Sequence, residues 1–505
     1  MSREVDVDRQ KLGVVAQRGV PYTAPMTMTN TPLPAAGRKL PTNQVVPLMT
    51  ALLVAVFAFQ LNASMLAPAL ATMETELSAT TAQIGMTQTA FFTAAALFSL
   101  FMPRWGDLIG RRKVLVGMMV VTVIGSVVAA LATNVTMLFI GRVIQGVSGP
   151  TVALTSVMLR QAVREERQFA FLVGILTSVN GGIAGIDALL GGWLTDAFGF
   201  RSLFWVIGAA ALIAVFAVQF GVPETKSDQL QPMDWKGVVG LVVGAAAILT
   251  ALNEAGALAA ANWFMVIILL AIGAASLVWF WRTEKSSPHP LMSTDLLAQR
   301  RTWAILLTTT LTMTGVFAVM NGLVPNLAQD DVAGPGMSAG VVSWWTLTPY
   351  ALAGLLMGPV SGWLAGRVGY KIILQIGIAG AALSVLFGIV VVGNPTHGML
   401  LAMSLLAGIT YAGMANIMLG SLGVVLAPKH NQGYLPGLNG GAFNLGAGLS
   451  FTIIFAVFTA AGASYRAGMI AGAILLGCAF AASFLIPKPE TVPDTLAAED
   501  LAARA

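Results

Sequence analysis

The sequence predicts an all-α, polytopic membrane protein of about fourteen spans, and three observations carry that reading. Of 505 residues, 56% are hydrophobic and only 10% are charged, where a soluble chain carries about a quarter charged residues. Apolar runs of about twenty residues, enough to cross a ~30 Å hydrocarbon core as helix, recur along the chain. The basic residues gather in every second connection, as orientation in a membrane requires. The 54 glycines sit inside the apolar runs, where membrane helices tolerate them. Cys478 is the sole cysteine, which excludes an intrachain disulfide and a multi-cysteine metal cluster.

The runs lie at roughly 47–70, 82–103, 114–133, 135–158, 169–193, 202–221, 236–254, 262–281, 303–327, 341–364, 372–392, 398–420, 437–461 and 466–486. Residues 1–46, polar and rich in Pro, Thr and Arg, read as a disordered arm and not as a signal peptide, because the first apolar run starts too late and is too long. Residues 488–505 form a tail. With an even number of spans both termini share one side. If that side is the cytoplasm, the inner segments hold 24 of the 27 basic residues. The expected location is therefore the cell (inner) membrane with both termini cytoplasmic. The net charge of +5 then reports topology, and the lipid bilayer is the partner it implies, with no nucleic acid.

A repeat is hidden in the chain. Gly106-Asp107-Leu108-Ile109-Gly110-Arg111-Arg112-Lys113 follows the second span, and Gly366-Arg367-Val368-Gly369-Tyr370-Lys371 follows the tenth. Aligning Gly110 with Gly369 gives an offset of 259, which also places Asn180-Gly181-Gly182 on Asn439-Gly440-Gly441 and Asn62 on Asn321. Three matches at one offset predict two related six-helix halves, 47–225 and 303–487, with two inserted helices and a linker over 226–302.

These residues carry a resemblance over about 45–487. The chain resembles the major facilitator superfamily, and within it the fourteen-helix drug:proton antiporter branch of multidrug efflux type. The loop Gly106-Asp107-x-x-Gly110-Arg111-Arg112-Lys113 is similar to the superfamily's signature after helix two. Arg142-x-x-Gln145-Gly146 is similar to the branch's fourth-helix motif, and Gly174 through Gly192 to its glycine-rich fifth helix. The resemblance implies a major facilitator fold and a cytoplasmic latch of Gly106, Asp107, Gly110, Arg111 and Arg112 between helix ends; the plain alternative is a positive-inside anchor. It also implies that Arg142 tunes a carboxylate in the outer half of helix one. That position reads Asn62, which cannot titrate.

Asp187 is the one acid well inside a span. Counted from the helix ends, Asn62, Arg142 and Asp187 all lie roughly 8–12 Å below the outer surface. Asp187 is accordingly a candidate for proton coupling with Arg142 and Asn62, for binding a cation, or for a static ion pair with Arg142. Candidate polar groups of a substrate cavity are Gln60, Gln88, Asn180, Asn321, Tyr411, Asn416 and Asn444, any of which can instead bond to a neighbouring helix.

No paired carboxylates, nucleophile with a base or metal-ligand spacing points to an enzyme. No phosphate-cradling Gly-x-x-x-x-Gly-Lys loop points to ATP. The reading is a secondary active transporter without cofactor or metal, driven by the proton gradient, in which alternating access gives efflux of small amphipathic or cationic compounds. The alternative is an importer or facilitated-diffusion carrier of a small polar solute on the same scaffold. An envelope-spanning partner at the outer face is neither indicated nor excluded.

Overall fold

The computed structural model describes residues 42–163, 184–224, 233–255, 261–287, 294–427 and 434–488, with isolated positions between 165 and 176. Among these residues there is no strand. The long helices are α1 (Thr42–Ser64), α2 (Thr81–Ile109), α3 (Arg111–Ala130), α4 (Val135–Ala162), α5 (Ala184–Phe198), α6 (Arg201–Gly221), α7 (Trp235–Ala255), α8 (Trp263–Ser286), α9 (Arg300–Gln329), α10 (339–368), α11 (Tyr370–Gly393), α12 (His397–Val425), α13 (Tyr434–Ala460) and α14 (Tyr465–Ser483). Among the described residues twelve helices are long and apolar enough to cross a bilayer. The other two of the predicted fourteen are α10, whose apolar run is diluted by Trp344, Trp345, Pro349 and Pro359, and α5, described only from Ala184. Asn180, most of the arm and the tail beyond residue 488 lie outside the described residues.

Local chemistry explains where the helices turn. A bilayer leaves no water to satisfy free helix ends, so the chain supplies its own caps. Thr80 and Gln83 form a reciprocal capping box at the start of α2. Asn134, Asn262, Thr396 and Ser464 accept from backbone N–H groups at the starts of α4, α8, α12 and α14. At the other end of the bundle α2 passes directly into α3 at Gly110 (φ +118°), and α10 into α11 at Gly369 (φ +96°). Both glycines adopt a backbone conformation that a β-carbon disfavours. They are the two residues aligned by the 259-residue offset.

Two groups of helices, α1–α6 and α9–α14, meet along α2 and α13. Thr89 on α2 donates to the Gly448 carbonyl on α13 at 3.1 Å, and its hydroxyl lies 3.0 Å from that of Thr452. Intramembrane side-chain bonds of this kind average about 0.6 kcal/mol, so close packing supplies the rest. Phe92 stacks on Phe451 at 6.4 Å. Because α2 and α13 run antiparallel, both termini of the described chain lie on one face, here called the terminal face. Of the twelve long apolar helices, α2 is the most enclosed, 72% buried over its apolar window, whereas α8 is 17% buried. α7 and α8 pack mainly on each other at the periphery, leaving large apolar side chains such as Phe264 and Ile267 exposed.

On the face opposite the termini the two groups close against each other. The Asp196 carboxylate, at the end of α5, accepts from the Ala339 and Gly340 N–H groups at 3.0 and 2.8 Å and from the Ser338 hydroxyl at 2.8 Å. It caps α10 from another helix, a favourable place for negative charge. Glu74 accepts from Asn326 at 2.9 Å and from Thr81 at 2.8 Å. Thr348 donates to the Gly185 carbonyl. A β-carbon at Gly192 would come 2.6 Å from the Ala339 carbonyl oxygen, so the small residues of α5 admit this approach. Hydrogen bonds to a charged group contribute about 1.5–3 kcal/mol each. Asp196→Ala should therefore speed hydrogen–deuterium exchange of the Ala339 and Gly340 amides by about tenfold or more. Unchanged exchange would mean that this closure does not depend on the carboxylate.

Candidate functional site

The site is built around Arg142 of α4, whose side chain is fully buried. Gly146, one turn on, allows the approach that places it: a β-carbon there would lie 2.4 Å from that of Ala94 and 2.7 Å from the Phe91 carbonyl oxygen on α2. One guanidinium nitrogen, Nη1, donates to the Asn62 Oδ1 at 2.5 Å, the Asn62 carbonyl at 3.2 Å and the Gln145 Oε1 at 3.0 Å. The other, Nη2, donates to the Gln88 Oε1 at 2.9 Å. The guanidinium carbon stands 4.1 Å from the centre of the Phe91 ring, a cation–π geometry. Gln145 passes the network on, donating to Ser126 of α3 at 2.8 Å. Four helices are tied to one cation, and among the described residues no carboxylate lies within ion-pair distance of it.

An arginine donates only, so every amide in contact must turn its oxygen inward. The NH₂ groups of Asn62 and Gln88 are thereby left buried, without a partner among the described residues. An amide donor in that condition is ready for a ligand, since leaving it unmet costs about 1–3 kcal/mol.

Asp187 is buried on α5 but is not paired with Arg142, which removes the static ion pair from the three alternatives and leaves proton coupling and cation binding. Its Oδ2 accepts from the Ser64 hydroxyl at the end of α1, and its Oδ1 has no side-chain partner. Gln60 donates to the same hydroxyl at 2.9 Å. Equal depth along neighbouring helices did not bring Asp187 and Arg142 together, because depth says nothing about which way each side chain faces. Ser64 is the residue that sequence reasoning missed; its only signal was its place in Gln60-Leu61-Asn62-Ala63-Ser64.

A small cavity, with room for about one water molecule, lies between the two helix groups, lined by Ala63, Ala67, Leu70, Gln88, Phe317, Asn321 and Phe451. Of the predicted cavity residues it brings together Gln88 and Asn321. Tyr411 instead stacks on Tyr350 at 6.3 Å and donates to the Met313 sulfur. Asn416 and Asn444 are half-buried away from this lining, and Asn180 lies outside the described residues. Asn321 belongs to a π-helical turn, Val319–Leu323. The turn has a local cause: Pro325 has no N–H to return to the Asn321 carbonyl, so the helix widens there. The same logic applies to Pro349 and the π turn Ser343–Leu347 of α10.

On the terminal face Asp107 pairs with Arg111 across the tight turn at Gly110, 2.5 Å apart. The partner of Arg112 is Glu224, beyond α6, which accepts from the Arg112 N–H at 3.1 Å. Arg112 also donates to the Gln219 and Val222 carbonyls at the end of α6. Lys371, 259 residues later, donates in the same way to the Phe484 and Ile486 carbonyls at the end of α14. Basic side chains there satisfy orphan carbonyls. The expected latch between helix ends is thus a tie among α2, α3 and α6. Glu224, which follows the sixth span, was not among the residues the sequence singled out.

Three comparisons bear on kinship. A sequence profile described as Major Facilitator Superfamily matches residues 52–239 and 305–504. The chain belongs to the major facilitator superfamily. It is a multi-pass membrane transporter of that family and not an enzyme. A uridine/deoxyuridine transporter of Lactococcus lactis subsp. cremoris is 52% identical over 454 residues, covering 88% of this chain and 95% of that protein. The multidrug transporter protein MdtP of Bacillus subtilis is 22% identical, over 64% of this chain and 59% of its own. Among solved structures, the nucleoside transporter NupG matches with a TM-score of 0.60 at 14% identity, over 87% of this chain and 98% of its own. A POT family transporter in complex with 5-aminolevulinic acid matches with a TM-score of 0.63 at 16% identity, over 87% and 95%. At such identities the two structures share the superfamily fold alone.

The turn at Gly110 yields a direct test. A β-carbon there meets the Glu224 carboxylate at 2.7 Å in a disfavoured conformation, whereas none of its neighbours lies within 4 Å of one at Gly366. Gly110→Ala should lower the melting temperature of the detergent-purified protein and cut transport severalfold. Gly366→Ala should leave both near wild type, and equal effects would remove the special role of the first loop.

Proposed function

We propose that this chain is a carrier that imports uridine and related pyrimidine nucleosides by alternating access. The observation that carries this reading is the 52% identity with the uridine/deoxyuridine transporter over nearly the whole of both chains. Local chemistry supports it. The fixed polar groups at the seam are neutral amides around one guanidinium, an environment for an uncharged, acceptor-rich solute. A cationic drug would meet Arg142 without a carboxylate in its shell. The multidrug-efflux reading rests on motif resemblance and on relatives below one-third identity, so it stands behind import.

In this reading the terminal face is cytoplasmic and the membrane is the cell membrane, supported by the 24 basic residues assigned to that side. The closed face is then external. The proton partner is Asp187, bonded to Ser64 on α1, so that protonating the carboxylate changes a contact between α5 and α1. Asn62 holds Arg142 in place and carries no proton itself.

The test is uptake of radiolabelled uridine by cells or proteoliposomes, with and without an uncoupler. Wild type should accumulate uridine, and the uncoupler should abolish accumulation. Asp187→Asn keeps the size and the hydrogen bonds but cannot cycle a proton. It should lose accumulation by about tenfold while retaining exchange of internal for external uridine. Accumulation of uridine only in everted vesicles would reverse the direction, and none in either orientation would refute the substrate. Full accumulation by Asp187→Asn would remove its coupling role.

A further inference from the structure

We propose that Gln88 and Asn321 read the imide edge of the pyrimidine, the Gln88 Nε2 donating to a ring carbonyl and the Asn321 Oδ1 accepting from N3–H. The inference rests on the nucleoside reading and adds to it the groups that select the base.

The orientation of each amide is fixed by a neighbour with a single capability. Gln88 gives its oxygen to Arg142 at 2.9 Å, and since a guanidinium cannot accept, the NH₂ must point the other way. Gln88 is 3% exposed and lines the cavity, and among the described residues its NH₂ has no partner. Asn321 uses its NH₂ on the Phe317 carbonyl at 3.0 Å. A carbonyl cannot donate, so the side-chain oxygen is the free atom, and among the described residues no donor meets it. The cavity thus offers one N–H and one C=O, from α2 and α9, on opposite sides of the seam between the helix groups. Uracil presents a ring carbonyl beside an N–H, the complementary pair. Neither amide can flip to suit another edge without breaking the bond that holds it.

An aromatic wall completes the arrangement. Phe317 lines the cavity, edge-on to Phe92 at 5.1 Å and to Phe451 at 6.2 Å. Flat apolar rings beside a hydrogen-bonding pair suit an unpaired base, which is recognised by stacking and by its edge. Reading the base and not the sugar also suits a carrier related to one named for both uridine and deoxyuridine, since those differ only at the 2′ position. The cavity holds about one water molecule where ligand pockets begin at roughly 300 Å³, so the nucleoside enters only as the helix groups part.

The probe is 3-methyluridine, in which a methyl group replaces the N3 hydrogen. Initial uptake of labelled uridine is measured in membranes with unlabelled uridine or 3-methyluridine as competitor, for wild type, Gln88→Leu and Asn321→Ala. Wild type should favour uridine by about tenfold or more, as a site built to pair a donor rejects the analogue lacking it. Asn321→Ala should bring the two competitors within about threefold of each other. Gln88→Leu should weaken both together, raising the KM for uridine about tenfold while keeping the preference. The ratio is taken within each variant, so differing expression does not enter it, and wild type alone tests the first claim if a variant does not reach the membrane. Uridine uptake that 3-methyluridine inhibits equally in wild type overturns the inference and leaves the nucleoside reading intact. A preference unchanged in Asn321→Ala overturns the role of that residue. Wild type that takes up no nucleoside overturns the reading itself, and the inference with it.

Discussion

The structure depends on a guanidinium held in the middle of a membrane protein by carbonyl oxygens and the face of one aromatic ring. Arg142 is fully buried, and its shell consists of Asn62, Gln88 and Gln145 with no carboxylate. An arginine in the core of a bilayer costs several kcal/mol unless other groups replace its hydration; here three amides do so. Because the cation can only donate, it dictates which end of each amide faces inward and, by subtraction, which end the proposed site leaves for a substrate. The same contacts bind α1, α2 and α4 together, with α3 attached through Ser126. A lysine would bring three donors from a point and would lose the planar fork that reaches Asn62 and Gln88 on two sides. Positioning of the helices and presentation of the site are consequences of one side chain.

Much of this was legible in the sequence because it follows from period and composition. Apolar runs gave the helices, and the offset of 259 located Gly110 and Gly369, both of which turn out to hold a positive φ. The offset also carried Arg112 onto Lys371, and both cap the last helix of their group. Contacts between distant helices were not legible. Asp187 and Arg142 share a depth, yet one faces Ser64 and the other Asn62. Glu224 and Asp196 look like ordinary acids at helix ends until folding brings Arg112 and the start of α10 to them. The π turn that presents Asn321 had a local signal in Pro325, four residues on.

The resemblance to drug antiporters and the kinship with a nucleoside carrier are not in conflict. One scaffold serves both, and function lies in the groups placed on it. In this chain the loop ties α2, α3 and α6, and the fourth-helix motif seats Arg142 against α2. Around those parts the chain places an amide at position 62 and amides, Gln88 and Asn321, on both sides of the seam. In the proposed reading such a site suits a neutral solute that offers acceptors and a donor in a fixed pattern.

The most direct test of the central claim is a structure of the full-length protein with uridine bound, determined by electron cryomicroscopy in lipid. The account predicts density for the base between α2 and α9, one ring carbonyl within about 3.2 Å of the Gln88 Nε2 and Arg142 still held by Asn62 and Gln88. A nucleoside bound elsewhere, or Arg142 released from Gln88 to contact the substrate itself, would contradict it.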